Sequence, residues 1–327
     1  MTDLYPAFAQ QLDALQAPQG HLWVACLGGG ADSQSILDLL DRYRQQHPHY
    51  RYLAIHLDHQ FHANSGQWAQ GLVADCERRA MPLVHEVLAI DLGARGNKEA
   101  AGRDARYQRL CELVQQHSDS NGASCLLGHH RNDQIETLLL QLKRGAGPKG
   151  LAAMARQQQW QQLRWLRPLL AISKANIYAY AEQQQLFWIE DDTNFDTDIE
   201  RNFLRHQVVP LLEQRWPHFG EAVLRSAALC AEHNTLLDEL LADLVQPHIN
   251  DQQQLYADTI ATWSPARQRA ALRFWLQQCH VPMPSYAQLE QLRQQFLHTS
   301  NDAKPVYSCR CYTITRGKDR WLTLSHN

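Results

Sequence analysis

HLWVACLGGGADSQSILDLL, residues 21–40, is the stretch on which the fold turns. Leu22 to Cys26 form an unbroken apolar run of strand length, Gly28-Gly29-Gly30 interrupt it, and Ile36, Leu37, Leu39 and Leu40 recur at helical spacing. A strand, a glycine turn and a helix start make a phosphate site. Glycines let backbone approach the ligand, and the unpaired N–H groups of a helix N-terminus point at an anion. Gly28, Gly29, Gly30, Ala31, Asp32 and Ser33 are therefore the candidate nucleotide-binding residues, with Ser33 as a hydroxyl donor and Asp32 as a magnesium or capping ligand. An ordinary tight turn is the alternative. The stretch fits neither G-x-x-x-x-G-K-[ST] nor G-x-G-x-x-G.

Outward from this stretch, apolar strands at 52–57, 83–88 and 124–127 alternate with helices at 65–80 and 99–117, and a segment at 129–142 begins polar and turns helical. That alternation predicts an α/β fold with a doubly wound parallel sheet, whose ligands sit at the carboxyl ends of the strands. Asp58, His59, His129, His130 and Asp133 all fall at such ends. The character changes near Pro217: a long amphipathic helix at 219–245 is followed by helices near 265–279 and 285–297 and a terminal hairpin at 306–324. The expected domains are residues 1–216, a catalytic unit, and 217–327, a smaller mainly helical unit ending in a strand pair.

The 327 residues allow two domains, and a net charge of −3 argues against indiscriminate binding to nucleic acid while leaving room for a structured RNA held by local basic patches. No apolar run suits a membrane span, and the amphipathic N-terminus lacks the basic charge of a targeting peptide. Eight scattered cysteines read as reduced thiols in a cytoplasmic protein; Cys309-Arg310-Cys311 is the only close pair. The glutamine runs at 157–159, 183–185 and 252–254 read as solvated helix surface.

Three further stretches carry chemistry. On a helix starting near Asn132, Asp133, Glu136 and Thr137 share a face, and two carboxylates there suit a cation, an ammonium group or magnesium; helix capping is the alternative. Lys143-Arg144-Gly145-Ala146-Gly147 joins a basic pair to a glycine loop, fit for phosphate or RNA backbone, or for a plain helix end. Glu190-Asp191-Asp192 precedes a spaced Arg201, Asn202, Arg205 set, which suits a polar substrate or a salt-bridge cluster.

The glycine stretch resembles the S-G-G-x-D-S loop of the PP-loop ATP-pyrophosphatases, with Gly28 in place of the first serine. All four stretches, in order, resemble the bacterial tRNA(Ile)-lysidine synthases. Beyond the loop, the resemblance rests on Glu99, Arg103, Arg106-Tyr107, His130, Asp133-Gln134, Glu136-Thr137, Arg144-Gly145, Gly150-Leu151, Met154, Arg167-Pro168, Glu190-Asp191, Asn194, Arg201-Asn202 and Arg205.

That resemblance implies ATP and Mg2+ as cofactors, L-lysine and a tRNA(Ile) with a CAU anticodon as partners, and ligation of lysine to C2 of the wobble cytidine through an adenylated intermediate. It implies that Asp32 binds magnesium, that Asp133 and Glu136 receive the lysine ammonium, and that Arg106, Arg144 and Arg205 face phosphates or substrate. A homodimer is compatible with it. The sequence departs from the family at Gly28, at Asn132 and Ala146, and at Asp58-His59-Gln60-Phe61. The departures in the loop and at Asn132 motivate one rival reading, a non-catalytic paralogue that binds nucleotide or RNA; another PP-loop tRNA-modifying enzyme is the second rival.

Overall fold

The computed structural model describes residues 3–58, 62, 64–88, 98–190, 196–300 and 303–327, with backbone alone at 98–104. His59, Gln60, Phe61, Asp191 and Asn194, and the side chains of Glu99 and Arg103, lie outside the described residues. Contacts divide the chain into two compact units, Met1–Ala231 and Glu232–Asn327.

In the first unit α1 (Tyr5–Asp13) precedes β1 (Leu22–Leu27), α2 (Ala31–Gln46), β2 (Arg51–Asp58), α3 (Ser65–Arg78), β3 (Leu83–Val87), α4 (Lys98–His117) and β4 (Ala123–Leu126). These are followed by α5 (Arg131–Lys143), α6 (Pro148–Leu151), β5 (Gln157–Trp160), β6 (Leu163–Leu166), α7 (Lys174–Gln183), α8 (Glu200–Phe203), a π-helical turn (Leu204–Val208), α9 (Val209–Arg215) and α10 (Phe219–Val245), which runs on into the second unit. The sheet order is β3-β2-β1-β4-β6-β5. All pairings are parallel except β5 with β6.

The apolar run of β1 is continuous because both faces of the strand are covered. Trp23, Ala25 and Leu27 join a core with residues of α1, α2 and α7, while Leu22, Val24 and Cys26 join a second core with Leu110, Cys111 and Val114 of α4. The strand order reverses between β1 and β4, which opens a crevice at their carboxyl ends. The doubly wound expectation holds, with element limits within a few residues of those read from periodicity.

The Gln157–Gln159 run is a solvent-exposed edge strand rather than helix surface. Gln161 and Gln162 both have positive φ, 47° and 64°, which is the geometry of the tight hairpin turn into β6. Hydrophobic periodicity carries no signal for a strand exposed on both faces.

The second unit adds β7 (Leu255–Tyr256), α11 (Ala257–Ala261), α12 (Pro265–Gln278), α13 (Tyr286–Leu297), β8 (Val306–Ser308), β9 (Tyr312–Arg316) and β10 (Trp321–His326). It ends not in a strand pair but in a four-stranded antiparallel sheet, β7-β10-β9-β8. The run 306–314 is not one strand: it reverses at Cys309-Arg310-Cys311, where the Cys309 N–H donates to the Tyr312 carbonyl at 3.0 Å. Trp275, Leu289, Phe296, Tyr312 and Leu322 fill the core of this unit. No described helix is long and apolar enough to cross a membrane.

Candidate nucleotide and substrate cleft

The turn after β1 delivers the loop to the crevice. Gly29 has φ +92°, a left-handed conformation that a side chain resists, and a Cβ there would meet Ile189 Cδ1 at 2.8 Å. The Gly29 carbonyl accepts the Ile189 N–H at 3.0 Å, which ties the loop to the segment behind it. Ser33 Oγ accepts the N–H groups of Gly28 and Gly29, at 3.2 and 3.1 Å, and donates to the Gly30 carbonyl at 3.0 Å. One hydroxyl thus shapes the whole turn.

Gly30 is the N-cap of α2, and no described side chain caps that helix. α5, whose start faces the same crevice, is capped twice. His130 Nδ1 accepts the Asp133 N–H at 3.3 Å, and Asp133 Oδ2 accepts the His130 N–H at 2.9 Å. The contrast has a physical meaning. The first-turn N–H groups of α2 are left for an anion, whereas those of α5 are in part consumed by the protein.

An open cleft of about 430 Å3 lies between these helix starts. Gly28, Gly30, Asp32 and Ser33 line it, with Arg106 and Tyr107 from α4, Trp68 from α3, and Gly128, His129 and Asp133 from the far side. Apolar side chains from β1 and β2, among them Ile55 and Leu57, form its floor. Ala31, by contrast, turns into the core.

Asp32 brings an unsatisfied oxygen to the cleft. Its Oδ1 is buried without a hydrogen-bond partner among the described residues, while Oδ2 lies 3.6 Å from His130 Nε2. Burial pushes its carboxyl above the ordinary value, and the neighbouring His130 offsets this only in part. A hard, buried carboxylate oxygen with no protein donor fits a magnesium ion whose other ligands are phosphate oxygens and water. Asp133 behaves oppositely. Burial pushes it up, but electrostatic attraction from the neighbouring His130, Arg201 and His129, with the His130 N–H as a donor, holds it below the ordinary value.

Behind Asp133 lies an ionic cluster. Glu136, 1% exposed, accepts from Arg201 Nε at 2.6 Å and from Arg205 Nε at 2.7 Å. Both arginines also reach Asp133 Oδ1, at 3.0 and 3.4 Å. Arg201 lies on α8 and Arg205 on the π-helical turn. The wide turn has a cause: Pro210 has no N–H to give the His206 carbonyl, so the ladder slips there. The sequence suggested Arg205 for phosphate or substrate and the two acids for an ammonium. The fold instead joins Arg205, Arg201, Asp133 and Glu136 to one another, and only Asp133 of the four lines the cleft.

Arg144 is exposed at the end of α5 and does not line the cleft. Asn132 accepts the Lys174 N–H at 3.0 Å, so it anchors the start of α7. Gln134 binds Met154 through both its amide atoms, at 2.7 and 2.8 Å, and pins the chain after α6.

Sequence reasoning missed Gly128. A Cβ at this position would come within 2.9 Å of the Asp32 carbonyl carbon and 3.0 Å of the Ser33 nitrogen. A single glycine directly after an apolar strand is the signal that could have found it. Trp68 was also missed, and no sequence pattern pointed to it.

A nucleotide loop at the switch point of a parallel sheet, with an uncapped helix and a carboxylate oxygen that has no hydrogen-bond partner among the described residues, defines a PP-loop nucleotide-binding protein. Residues 4–212 match the PP-loop domain family, and residues 255–321 match the TilS substrate binding domain family. The chain is 51% identical over 312 residues to a tRNA(Ile)-lysidine synthase of Idiomarina loihiensis, covering 95% of this chain and 68% of the relative. It is 42% identical over 304 residues to that of Serratia proteamaculans, covering 93% and 68%. Among solved structures it resembles the U34-tRNA thiolase NcsA of Methanococcus maripaludis, with a TM-score of 0.59 and 17% identity over 70% of this chain and 79% of the other, a likeness of fold. The chain belongs to the tRNA(Ile)-lysidine synthase family, ligases built on a PP-loop ATP-pyrophosphatase domain.

Proposed function

We propose that this chain joins L-lysine to C2 of the wobble cytidine of a tRNA(Ile) bearing a CAU anticodon, using ATP. The cytidine O2 attacks the α-phosphorus of ATP and pyrophosphate leaves. The lysine ε-amine, once deprotonated, then attacks C2 and the C–O bond breaks, so that AMP departs with the former O2. A carbonyl oxygen is a poor leaving group, and attachment of AMP makes it a good one.

One observation carries this reading: the His130 ring stands between the two cleft carboxylates, 3.6 Å from Asp32 and 3.4 Å from Asp133. Asp32 belongs to the phosphate side. The free N–H groups at the start of α2 hold the phosphates, and Arg106, on the cleft wall, meets their charge. Asp32 would hold magnesium, which supplies neutralisation of phosphate charge. Asp133 belongs to the amine side, where an ionised carboxylate, held in that state by its charged neighbours, receives the ammonium. Glu136 supports Asp133 by fixing Arg201 and Arg205, and an ammonium reaches Glu136 only by displacing an arginine. Arg144 meets tRNA backbone, and residues 217–327 serve as the tRNA-facing part of the enzyme, which works in the cytoplasm.

One departure from the family supports activity: Asn132 accepts from Lys174 as an aspartate would. The Gly28 N–H is engaged by Ser33 Oγ, which leaves the phosphates to the start of α2. The test is incubation with ATP, labelled lysine and tRNA transcripts, followed by nucleoside analysis. Lysidine with AMP and pyrophosphate is expected. ADP and phosphate, or nucleotide binding with no product on any isoleucine tRNA, would overturn the proposal, the second outcome in favour of a non-catalytic paralogue.

A further inference from the structure

His130 is almost wholly buried, at 2% exposure, and both its ring nitrogens have assigned neighbours. Nδ1 accepts the Asp133 N–H at 3.3 Å, so the neutral ring carries its proton on Nε2. Nε2 faces Asp32 Oδ2 at 3.6 Å, longer than a hydrogen bond, while the other oxygen, Oδ1, is buried and unpartnered. The two sides of this contact are fixed independently. The capping box locks the ring to the start of α5, and Gly128 packs directly on the backbone of Asp32 and Ser33.

We propose that His130 is a positioning residue. Its Nε2–H donates to Asp32 Oδ2 and so fixes the orientation of the Asp32 carboxylate beside the phosphates of the nucleotide. Contacts of this kind are long in ligand-free sites and tighten when substrate arrives. The same ring senses Asp133 through its other nitrogen, so one imidazole sets the geometry of both the phosphate side and the amine side. This inference rests on the reading of Asp32 as the phosphate-facing carboxylate.

Two variants separate the two ends of the ring. Asparagine is a good N-cap and keeps an oxygen for the Asp133 N–H, but no atom of it reaches Asp32. Glutamine extends an amide nitrogen to the place of Nε2 and loses the cap. For His130→Asn, the expected result is an unchanged Tm, an ATP KM within about twofold of the parent, and a kcat for pyrophosphate release lower by about tenfold or more. For His130→Gln, Tm falls and most of kcat is retained.

In the ligand-free protein, 15N spectra of labelled histidine should show His130 protonated on Nε2, with that resonance shifted by Asp32→Asn. A kcat that simply follows Tm in both variants overturns the proposal, as does a wild-type kcat in His130→Asn or an Nδ1–H tautomer. If the parent protein does not split ATP, the proposed function fails on its own, and the nitrogen spectra still decide the contact.

Discussion

Gly128 and Asp32 touch so closely that a methyl group on the first would sit 2.9 Å from the carbonyl carbon of the second. The contact joins the ends of β4 and the loop after β1, the two strands that flank the switch point. Backbone cannot move aside as a side-chain tip can, so Gly128→Ala must push the start of α2 outward. Such overpacking costs about 1–3 kcal/mol of stability. Because the displaced atoms belong to Asp32 and Ser33, ATP turnover should fall by more than the stability loss accounts for. Thermal unfolding and pyrophosphate release, measured together, check this; an equal effect on both would reduce Gly128 to a packing residue.

Gly28→Ser should have the opposite sign. Nothing lies within 4 Å of a Cβ at this position, so the side chain fits without strain. Its hydroxyl adds one donor to a charged phosphate, worth about 1.5–3 kcal/mol if nothing else fills the role. Adenylation should therefore speed up, or ATP bind more tightly, by roughly ten- to a hundredfold. Single-turnover kinetics at low ATP read the change directly.

Asp32 and Asp133 link stability to pH with opposite signs. The folded-state pKa of Asp32 is raised, chiefly by burial, so its stabilising contribution is present in acid and lost as pH rises through that value. At neutral pH the charged carboxylate therefore costs stability, and Asp32→Asn should raise Tm while cutting turnover by at least ~100-fold. The pKa of Asp133 is lowered, since its charged neighbours outweigh burial. Its contribution is present above the unfolded value of about 3.9 and lost as pH falls through the folded one. Melting curves of the two asparagine variants from about pH 2 to about pH 8, a span that brackets the carboxylate range on both sides, should accordingly diverge. The Asp133 difference closes in acid and the Asp32 difference opens as pH rises.

Glu136→Gln leaves Arg201 and Arg205 facing a neutral amide. Both arginines are partly exposed, which moderates the loss, so a destabilisation of about 1–3 kcal/mol is expected. The released arginines also shift around Asp133, and the lysine KM should rise roughly ten- to a hundredfold. An unchanged KM, with Tm lowered, would remove Glu136 from the amine site and leave it a purely structural acid.

Arg144→Ala tests the exposed end of α5. Its side chain lies in solvent, so Tm should not move. If Arg144 meets one tRNA phosphate, affinity drops and the slope of log K against log salt falls by about one. Filter binding across a salt series gives both numbers.

The sequence by itself determined the doubly wound sheet, the glycine loop and the helix starts around it. Those features are local: an apolar run, a break and a 3.6-residue period lie within one stretch of chain, and Leu22–Leu27 and Ala31–Gln46 fall where that pattern puts them. The edge strand Gln157–Trp160 escaped because neither of its faces is buried. Only the tertiary structure decided how the acids and arginines pair. Arg201 and Arg205 stand more than 60 positions from Glu136 along the chain, and charge alone does not say whether such residues meet each other or a ligand. The same holds for Gly128 and Asp32. Their contact exists because β1 and β4 lie side by side in the sheet, a fact of strand order that no stretch of sequence contains.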